Sequence, residues 1–400
     1  MKLSEARVAW VLPVLGIEGK LLYNKPLFES VASKFGVFKL FTSEFKGDAT
    51  SLSFHVESCG RFKRLYKNER MGNYKSIGYI KGISVMTPSV VLSLFRFRPD
   101  LVVINEFSLF SIYALLAMKL LGKGRVLLIV EAKPRFESSK ILNLARVILR
   151  RGIVFKTDRI LTNNNEGLEY IISELHAPNN KIIVRPFLVS DIKLVTGLKE
   201  KEILEHRESR GNGLPVRFLF VGQLVERKGI QYALDAFAKL LQGGRGDFIF
   251  DIVGDGPFRG NLERQSIALG LSKHVYFHGK HPYESLWEWY KSGDVFLFPT
   301  LADYRALVPF EAMSMGLPIV ASIHDGGISE TVDSGRNGYS FDPLNVEDFA
   351  LVLSRFIDTP QLIADFSKQS LKMSSAYTLE RASRSLIFAC EEALNSVLHV

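Results

Sequence analysis

Between Asp294 and Ser322 two short apolar runs, DVFLFP and PIVAS, are joined by a loop and one short helical segment. Pro309 suits the first turn of that helix, where its missing N–H would have no partner in any case, and Gly316 with Pro318 ends it. A strand, loop, helix, strand unit of this length is a parallel crossover. Ligands of such sheets bind at the carboxyl ends of the strands. Asp303 falls on the loop at that end, and Glu311 lies eight positions later on the helix, so two acids face one sheet edge.

The same alternation runs through the whole chain. Val8 to Leu15 is a continuous apolar run leading into Gly16 and Gly19, with a helical pattern from Leu22 to Lys34 behind it. Val37 to Phe41, Arg98 to Phe107, Arg125 to Ala132, Arg159 to Thr162 and Lys181 to Phe187 read as further strands with helices between them. From Asp191 to Pro215 the sequence is rich in charge and ends in Gly-Asn-Gly, which marks a domain boundary. The pattern then restarts with RFLFVG, FIFDIVG and VYFHG. The fold class is α/β, with two Rossmann-like doubly wound parallel-sheet domains over residues 1–192 and 193–375 and a cleft between them. A last helix within 376–400 is expected to pack back on the first domain.

Four hundred residues exceed what one hydrophobic core usually serves. Basic residues outnumber acidic ones 31 to 17 in the first half, a net of +14, whereas the second half is at −5. A basic first half suggests an anionic partner, whether a membrane surface, an acidic glycan or a nucleic acid. Two stretches carry that charge. One, from Cys59 to Gly82, interleaves seven Lys and Arg with Phe62, Tyr66, Tyr74 and Tyr79. In the other, SSKILNLARVILRRGIVFK, Ile141, Leu144, Ala145, Ile148 and Leu149 line one side of a helix with Arg146, Arg150 and Arg151 towards its end. Such a helix can lie in a membrane interface, or pack on its own sheet with its arginines at the helix C-terminus. With only Cys59 and Cys390, no disulfide framework and no cysteine-based zinc site are expected. No transmembrane helix is expected either, so membrane contact would be peripheral.

Chemistry collects at the strand ends of the second half. VGQLVERKGI places Gly222, Gln223, Arg227 and Lys228 between a buried strand and a helix start, where a cation suits a phosphate. Gly254 in Gly-Asp-Gly-Pro and the turn holding Gly279 and His281 follow the next two strands and admit close backbone approach. Together these turns place phosphate, base and carboxylate subsites along one edge.

The runs VGQLVERKGIQYALDAFAKL, IVGDGPFRGNLERQSIALGL, VYFHGKHPYESLWEWYKSGDVFLFPT, DYRALVPFEAMSMGLPIVAS and GGISETV resemble family 4 glycosyltransferases of the two-domain GT-B fold. The likeness covers roughly a third of the chain strongly, and RILTNNNEGLEYIISELHAPNNKIIVRPF carries it more loosely in the first half. The resemblance implies transfer of a sugar from a nucleotide-diphosphate sugar with retention of configuration, without a metal or other cofactor. It implies that Asp303 contacts the donor sugar, Glu311 the ribose hydroxyls and Lys228 the diphosphate. The backbone of Ala306, Leu307 and Val308 would cradle the same phosphates. This sequence departs from the family at three points: the first acid is Asp303 in place of Glu, Ala306 replaces a glycine, and Gln223 replaces an arginine that Arg227 or Arg305 would substitute. On the acceptor side Gly16 and Gly19 are candidates, and Glu131 or Lys133 occupies the region where a histidine is frequent in that family.

The resulting expectation is a retaining, metal-independent glycosyltransferase acting on a glycan or lipid-linked acceptor in envelope polysaccharide or glycolipid synthesis. Its place would be the cytoplasm or the inner face of the cell membrane. A soluble small-molecule acceptor and a catalytically weak nucleotide-sugar-binding partner subunit are the alternatives. Nucleic acid is not an expected partner, because no binding motif accompanies the charge.

Overall fold

The structure is a computed structural model that describes residues 2–12, 20–43, 45, 52–66, 82–131, 140–187, 192, 196–209 and 213–396. Contacts divide the chain into two compact units. The first takes Met1–Arg70, Tyr79–Leu188 and Leu379–Val400, and the second takes Val189–Thr378.

In the first unit, strands β1 (Arg7–Leu12), β2 (Val37–Thr42) and β3 (His55–Ser58) precede a hairpin of β4 (Phe62–Tyr66) and β5 (Gly82–Met86). After these come β6 (Leu101–Asn105), β7 (Arg125–Val130), β8 (Arg159–Thr162) and β9 (Ile182–Val184). The main sheet is parallel in the order β3-β2-β1-β6-β7-β8-β9. Val8 to Val11, Leu101 to Ile104 and Leu127 to Val130 are buried, as strands covered on both faces require. The last helix, Leu379–Leu394, packs against helix Lys20–Ala32 and strands β6 to β8. Ser383 bonds Ser30 at 2.8 Å, and Arg185 lies 3.7 Å from the ring centre of Phe388.

The second unit holds β10 (Val216–Val221), β11 (Phe248–Val253), β12 (Val275–Gly279), β13 (Val295–Phe298), β14 (Ile319–Ser322) and β15 (Gly338–Phe341). Their order is β12-β11-β10-β13-β14-β15, and the recorded pairs are parallel. The chain reverses direction across the sheet between β10 and β13, which pair through Phe218 and Val295. That reversal brings together the loops leaving these two strands, the usual ligand position of a doubly wound sheet.

The charged stretch read as a boundary contains a helix, Glu200–Ser209, packed on the second unit. Its Arg207 is buried, and its guanidinium donates to the carbonyls of Tyr290 at 2.7 Å, Lys291 at 3.1 Å and Met315 at 3.0 Å, as well as to that of Gly293. These carbonyls lie at the ends of helices Leu286–Ser292 and Val308–Ser314, where the backbone lacks its own partners. Among the described residues no helix is long and apolar enough to cross a membrane.

Candidate active site

The loops after β10 and β13 are stitched together by their backbones. Leu301 donates its N–H to the Arg227 carbonyl at 2.7 Å, and the Thr300 hydroxyl reaches the same oxygen at 3.2 Å. Gly229, with φ of +71°, makes the approach possible, since a Cβ there would overlap the carbonyl of Pro299. The sequence between these points has no room to splay, so Arg227 and Lys228 are delivered to Asp303.

Asp303 Oδ2 accepts from Lys228 Nζ at 2.6 Å and from Arg227 Nη1 at 2.8 Å, with the Thr300 hydroxyl at 3.4 Å. Burial alone would raise the Asp303 pKa. The Lys228 and Arg227 charges more than reverse that, and the carboxyl sits below the usual carboxylate range. Lys228 is shifted down mainly by burial, with the Asp303 charge opposing the shift. Its ammonium also lies 4.6 Å from the ring centre of Phe298, the last residue of β13. The cluster carries two cations and one carboxylate, a surplus of positive charge at the sheet edge.

The other carboxylates of this edge have separate partners. Glu311 is buried in helix Val308–Ser314, where its Oε2 accepts from the Tyr290 hydroxyl at 2.6 Å. Arg305 is also buried and forms a two-pronged pair with Glu330 at 2.8 and 2.9 Å, its guanidinium 4.1 Å from the ring centre of Phe310. Asp325, in the loop after β14, is fully buried, and its Oδ1 is 3.4 Å from the Ala306 N–H. Leu307 and Val308 follow Ala306 into the helix. Sequence reasoning did not select Asp325, Tyr290 or Glu330. The Asp-Gly-Gly at 325–327 reads as a turn, and Tyr290 reads as a core aromatic.

Gly222, Gly254 and Gly279 meet where β10, β11 and β12 end. Gly254 donates its N–H to the Gly279 carbonyl at 2.8 Å, and a Cβ on Gly254 would overlap the Gly222 carbonyl. Gln223 is exposed beside them, and the His281 ring lies 5.2 Å from that of Trp289. Deeper on β11, Asp251 is buried between His278 at 2.7 Å and Arg217 at 2.7 Å. Every second-unit candidate therefore lies on or just beyond a strand's carboxyl end. The acids and the Arg and Lys candidates fall into three settings, with Lys228, Arg227 and Asp303 in one, Arg305 paired with Glu330 in another, and Glu311 bonded to Tyr290 in the third.

In the first unit, Glu131 follows β7 and donates its N–H to Glu106 Oε1 at 2.6 Å. Glu106 has φ of +56°, unusual for a side chain of this size. Burial and the neighbouring Glu131 charge push its carboxyl up to about 8. Gly16, Gly19 and Lys133 lie outside the described residues, as does most of the basic stretch between Cys59 and Gly82. Helix Lys140–Lys156 buries Ile153 and Val154 yet exposes Leu144, Ile148, Leu149 and Phe155, each 50% or more.

Known proteins resemble this chain most clearly in its second unit. Residues 202–373 match the family described as glycosyl transferases group 1. The match lies within the second unit. Among curated relatives, this chain is 27% identical over 238 residues to the alpha-D-kanosaminyltransferase of Streptomyces kanamyceticus, covering 59% of this chain and 61% of that one. It is 31% identical over 229 residues to the 2-deoxystreptamine glucosyltransferase of the same organism, covering 56% and 57%. The matches thus span about six-tenths or less of those relatives' own length. Among solved structures, Anabaena HepE in complex with UDP superposes with a TM-score of 0.73 at 16% identity, covering 98% of this chain and all of that one. A glycosyltransferase from Rickettsia africae gives 0.70 at 14% identity with the same coverage. The fold is GT-B, and the group 1 match falls in its second half.

Proposed function

We propose that this chain is a retaining glycosyltransferase that takes a sugar from a nucleoside-diphosphate donor. The observation that carries this reading is the Asp303 carboxylate held by Lys228 and Arg227 at the reversal point of a sheet in the part of the chain that matches group 1 glycosyl transferases. The surplus positive charge suits a diphosphate, and in this reading Asp303 accepts hydrogen bonds from donor-sugar hydroxyls. Tyr290 orients Glu311, which takes the ribose hydroxyls in this reading. The amides of Ala306, Leu307 and Val308 face the same phosphates.

The chemistry asks little of protonation on the leaving side. The bond from the sugar's anomeric carbon to phosphate oxygen breaks while the acceptor hydroxyl forms its bond on the same face, and the hydroxyl proton passes to the departing diphosphate. Lys228, Arg227 and main-chain amides stabilise the charge that develops there, which is the role a metal ion fills in other transferases. One relative above is named for transfer of a kanosaminyl group and the other for glucosyl transfer to 2-deoxystreptamine, and the second name supports a soluble small-molecule acceptor as a second reading.

A lipid-linked or envelope glycan at the inner membrane face is favoured by helix Lys140–Lys156. Its exposed Leu144, Ile148 and Leu149 share the helix with the exposed Arg146, whereas Arg150 bonds the Tyr170 hydroxyl at 2.8 Å and Arg151 the Glu174 carbonyl at 3.0 Å, so the apolar face with Arg146 is what suits an anionic bilayer surface. The test is a screen of UDP, GDP, ADP and dTDP sugars for thermal stabilisation and slow hydrolysis. A ligand at about 100-fold its Kd adds roughly 2.7 kcal/mol. No stabilisation by any nucleotide would refute the reading.

A further inference from the structure

Asp325 is joined to Asp303 through their backbones. The Asp303 N–H donates to the His324 carbonyl at 3.2 Å, and the Gly326 N–H donates to the Asp303 carbonyl at 3.1 Å, forming a short parallel bridge. The Asp325 side chain is fully buried, and its Oδ2 has no hydrogen-bond partner among the described residues. A Cβ on Gly327 would stand 3.4 Å from that oxygen, in van der Waals contact with it. A buried carboxylate oxygen without a donor is costly, whereas a carboxylic acid brings a proton of its own to give.

The cations within reach are committed elsewhere. From the loop after β10, Lys228 and Arg227 bond Asp303. From the loop after β13 come Asp303 itself and Arg305, the latter neutralised by Glu330 of helix Ile328–Thr331. Within Asp325's own loop, His324 faces Asp342 at 3.4 Å. Helix Val308–Ser314 meets this loop through Phe310, and its Glu311 is bonded to Tyr290. Lys228, already bonded to Asp303, is the cation that favours a second negative charge at this point, and burial opposes that charge.

We propose that Asp325 is a further residue of the diphosphate subsite and that its protonated form is the one that admits the donor. This rests on the reading of the Lys228 loop as a nucleoside-diphosphate site. As a neutral acid, Asp325 leaves the Ala306 N–H and the Lys228 charge to the incoming diphosphate. As an anion it competes for both, because Oδ1 already faces the Ala306 amide. Burial, followed by the Asp303 charge, pushes its carboxyl up to about 7, against the Gly327 and Ala306 amides and Lys228, which pull it down. The change from admitting to competing thus falls near neutral pH.

The test compares the protein with its Asp325→Asn variant, which keeps the shape and cannot ionise. Binding of UDP, GDP, ADP and dTDP is measured by calorimetry from about pH 5.5 to about pH 8.5. The nucleotide's terminal phosphate titrates equally for both proteins, so the ratio of their Kd values is the quantity read. Parent affinity should fall about tenfold per pH unit relative to the variant once Asp325 ionises. A ratio that stays constant with pH, while both proteins bind, overturns this inference alone. Absence of binding by the parent at every pH overturns the glycosyltransferase reading as well. A second readout needs no ligand: with the folded carboxyl near about 7 and the unfolded one near about 4, the Tm of the variant should gain on the parent as pH rises from about 4 to about 7 and keep a constant lead above that, and a pH-independent difference over this range shows that Asp325 holds no proton. Should Asp325→Asn fail to fold, Asp325→Ser, smaller and equally neutral, takes its place.

Discussion

Lys228 Nζ lies 2.6 Å from Asp303 Oδ2, although the two residues are 75 positions apart in the chain. Two loops at the reversal point of the second sheet create that contact, and each side chain is tuned by the other: the Lys228 charge helps hold the carboxyl low, and the Asp303 charge opposes the downward shift that burial gives the ammonium. If Lys228 stabilises a departing diphosphate, Lys228→Ala should lower kcat/KM by roughly 10²–10³-fold, on the order of 2–4 kcal/mol. Steady-state kinetics with the best donor from the nucleotide screen checks this, and unaltered kcat/KM would remove Lys228 from the mechanism.

Asp303 also gives the unit a pH-dependent component of stability. Its folded pKa lies below its unfolded one, so its contribution is present above the unfolded value near about 4 and is lost as pH falls through the folded value. Asp303→Asn leaves Lys228 and Arg227 without their carboxylate, and should cost about 3–5 kcal/mol at neutral pH. The gap between parent and variant should narrow in acid as the parent's own carboxyl protonates. Denaturant titrations at neutral and acidic pH compare the two, and a gap that persists unchanged in acid contradicts the assignment.

Arg305 presents a different balance. Its guanidinium is engaged on both sides, bonded twice to Glu330 and resting on Phe310. Arg305→Ala should therefore destabilise the protein, by about 3–5 kcal/mol because it takes the two-pronged guanidinium away from the buried Glu330, and change nucleotide affinity little in the protein that remains folded. Melting curves and calorimetry separate the effects. Weaker nucleotide binding with an unchanged Tm would identify Arg305 as a phosphate ligand in place of the arginine absent at Gln223.

Much of this was legible in the sequence because it is written locally. Apolar runs mark the strands, and the glycines after them mark where backbones must close up, as at Gly229 and Gly254. Pairings fixed by tertiary contact were not legible. The helix Glu200–Ser209 looks like a solvated linker, since only Arg207's carbonyl partners near residue 290 and at Met315 give it a reason to be buried. Asp325 is hidden in the same way: an Asp-Gly pair signals a turn, and its burial beside Asp303 depends on which strands are neighbours. Helix Lys140–Lys156 shows the converse, for its periodicity fits packing or a membrane equally, and only burial reveals which apolar residues remain exposed.

Those exposed residues give the most direct test of where the protein works. Leu144, Ile148 and Leu149 are 50–62% accessible, so replacing all three with Gln removes apolar surface without opening a cavity. Surface changes of this kind usually alter stability by no more than about 0.5 kcal/mol each. If the helix lies in a bilayer interface, the parent should float with vesicles containing phosphatidylglycerol, and the triple variant should stay in solution with its Tm nearly unchanged. Added salt should weaken the parent's binding only in part, because screening reaches Arg146 and leaves the buried apolar contact intact. Equal flotation of parent and variant would move the membrane contact elsewhere, and no flotation of the parent would favour the soluble acceptor.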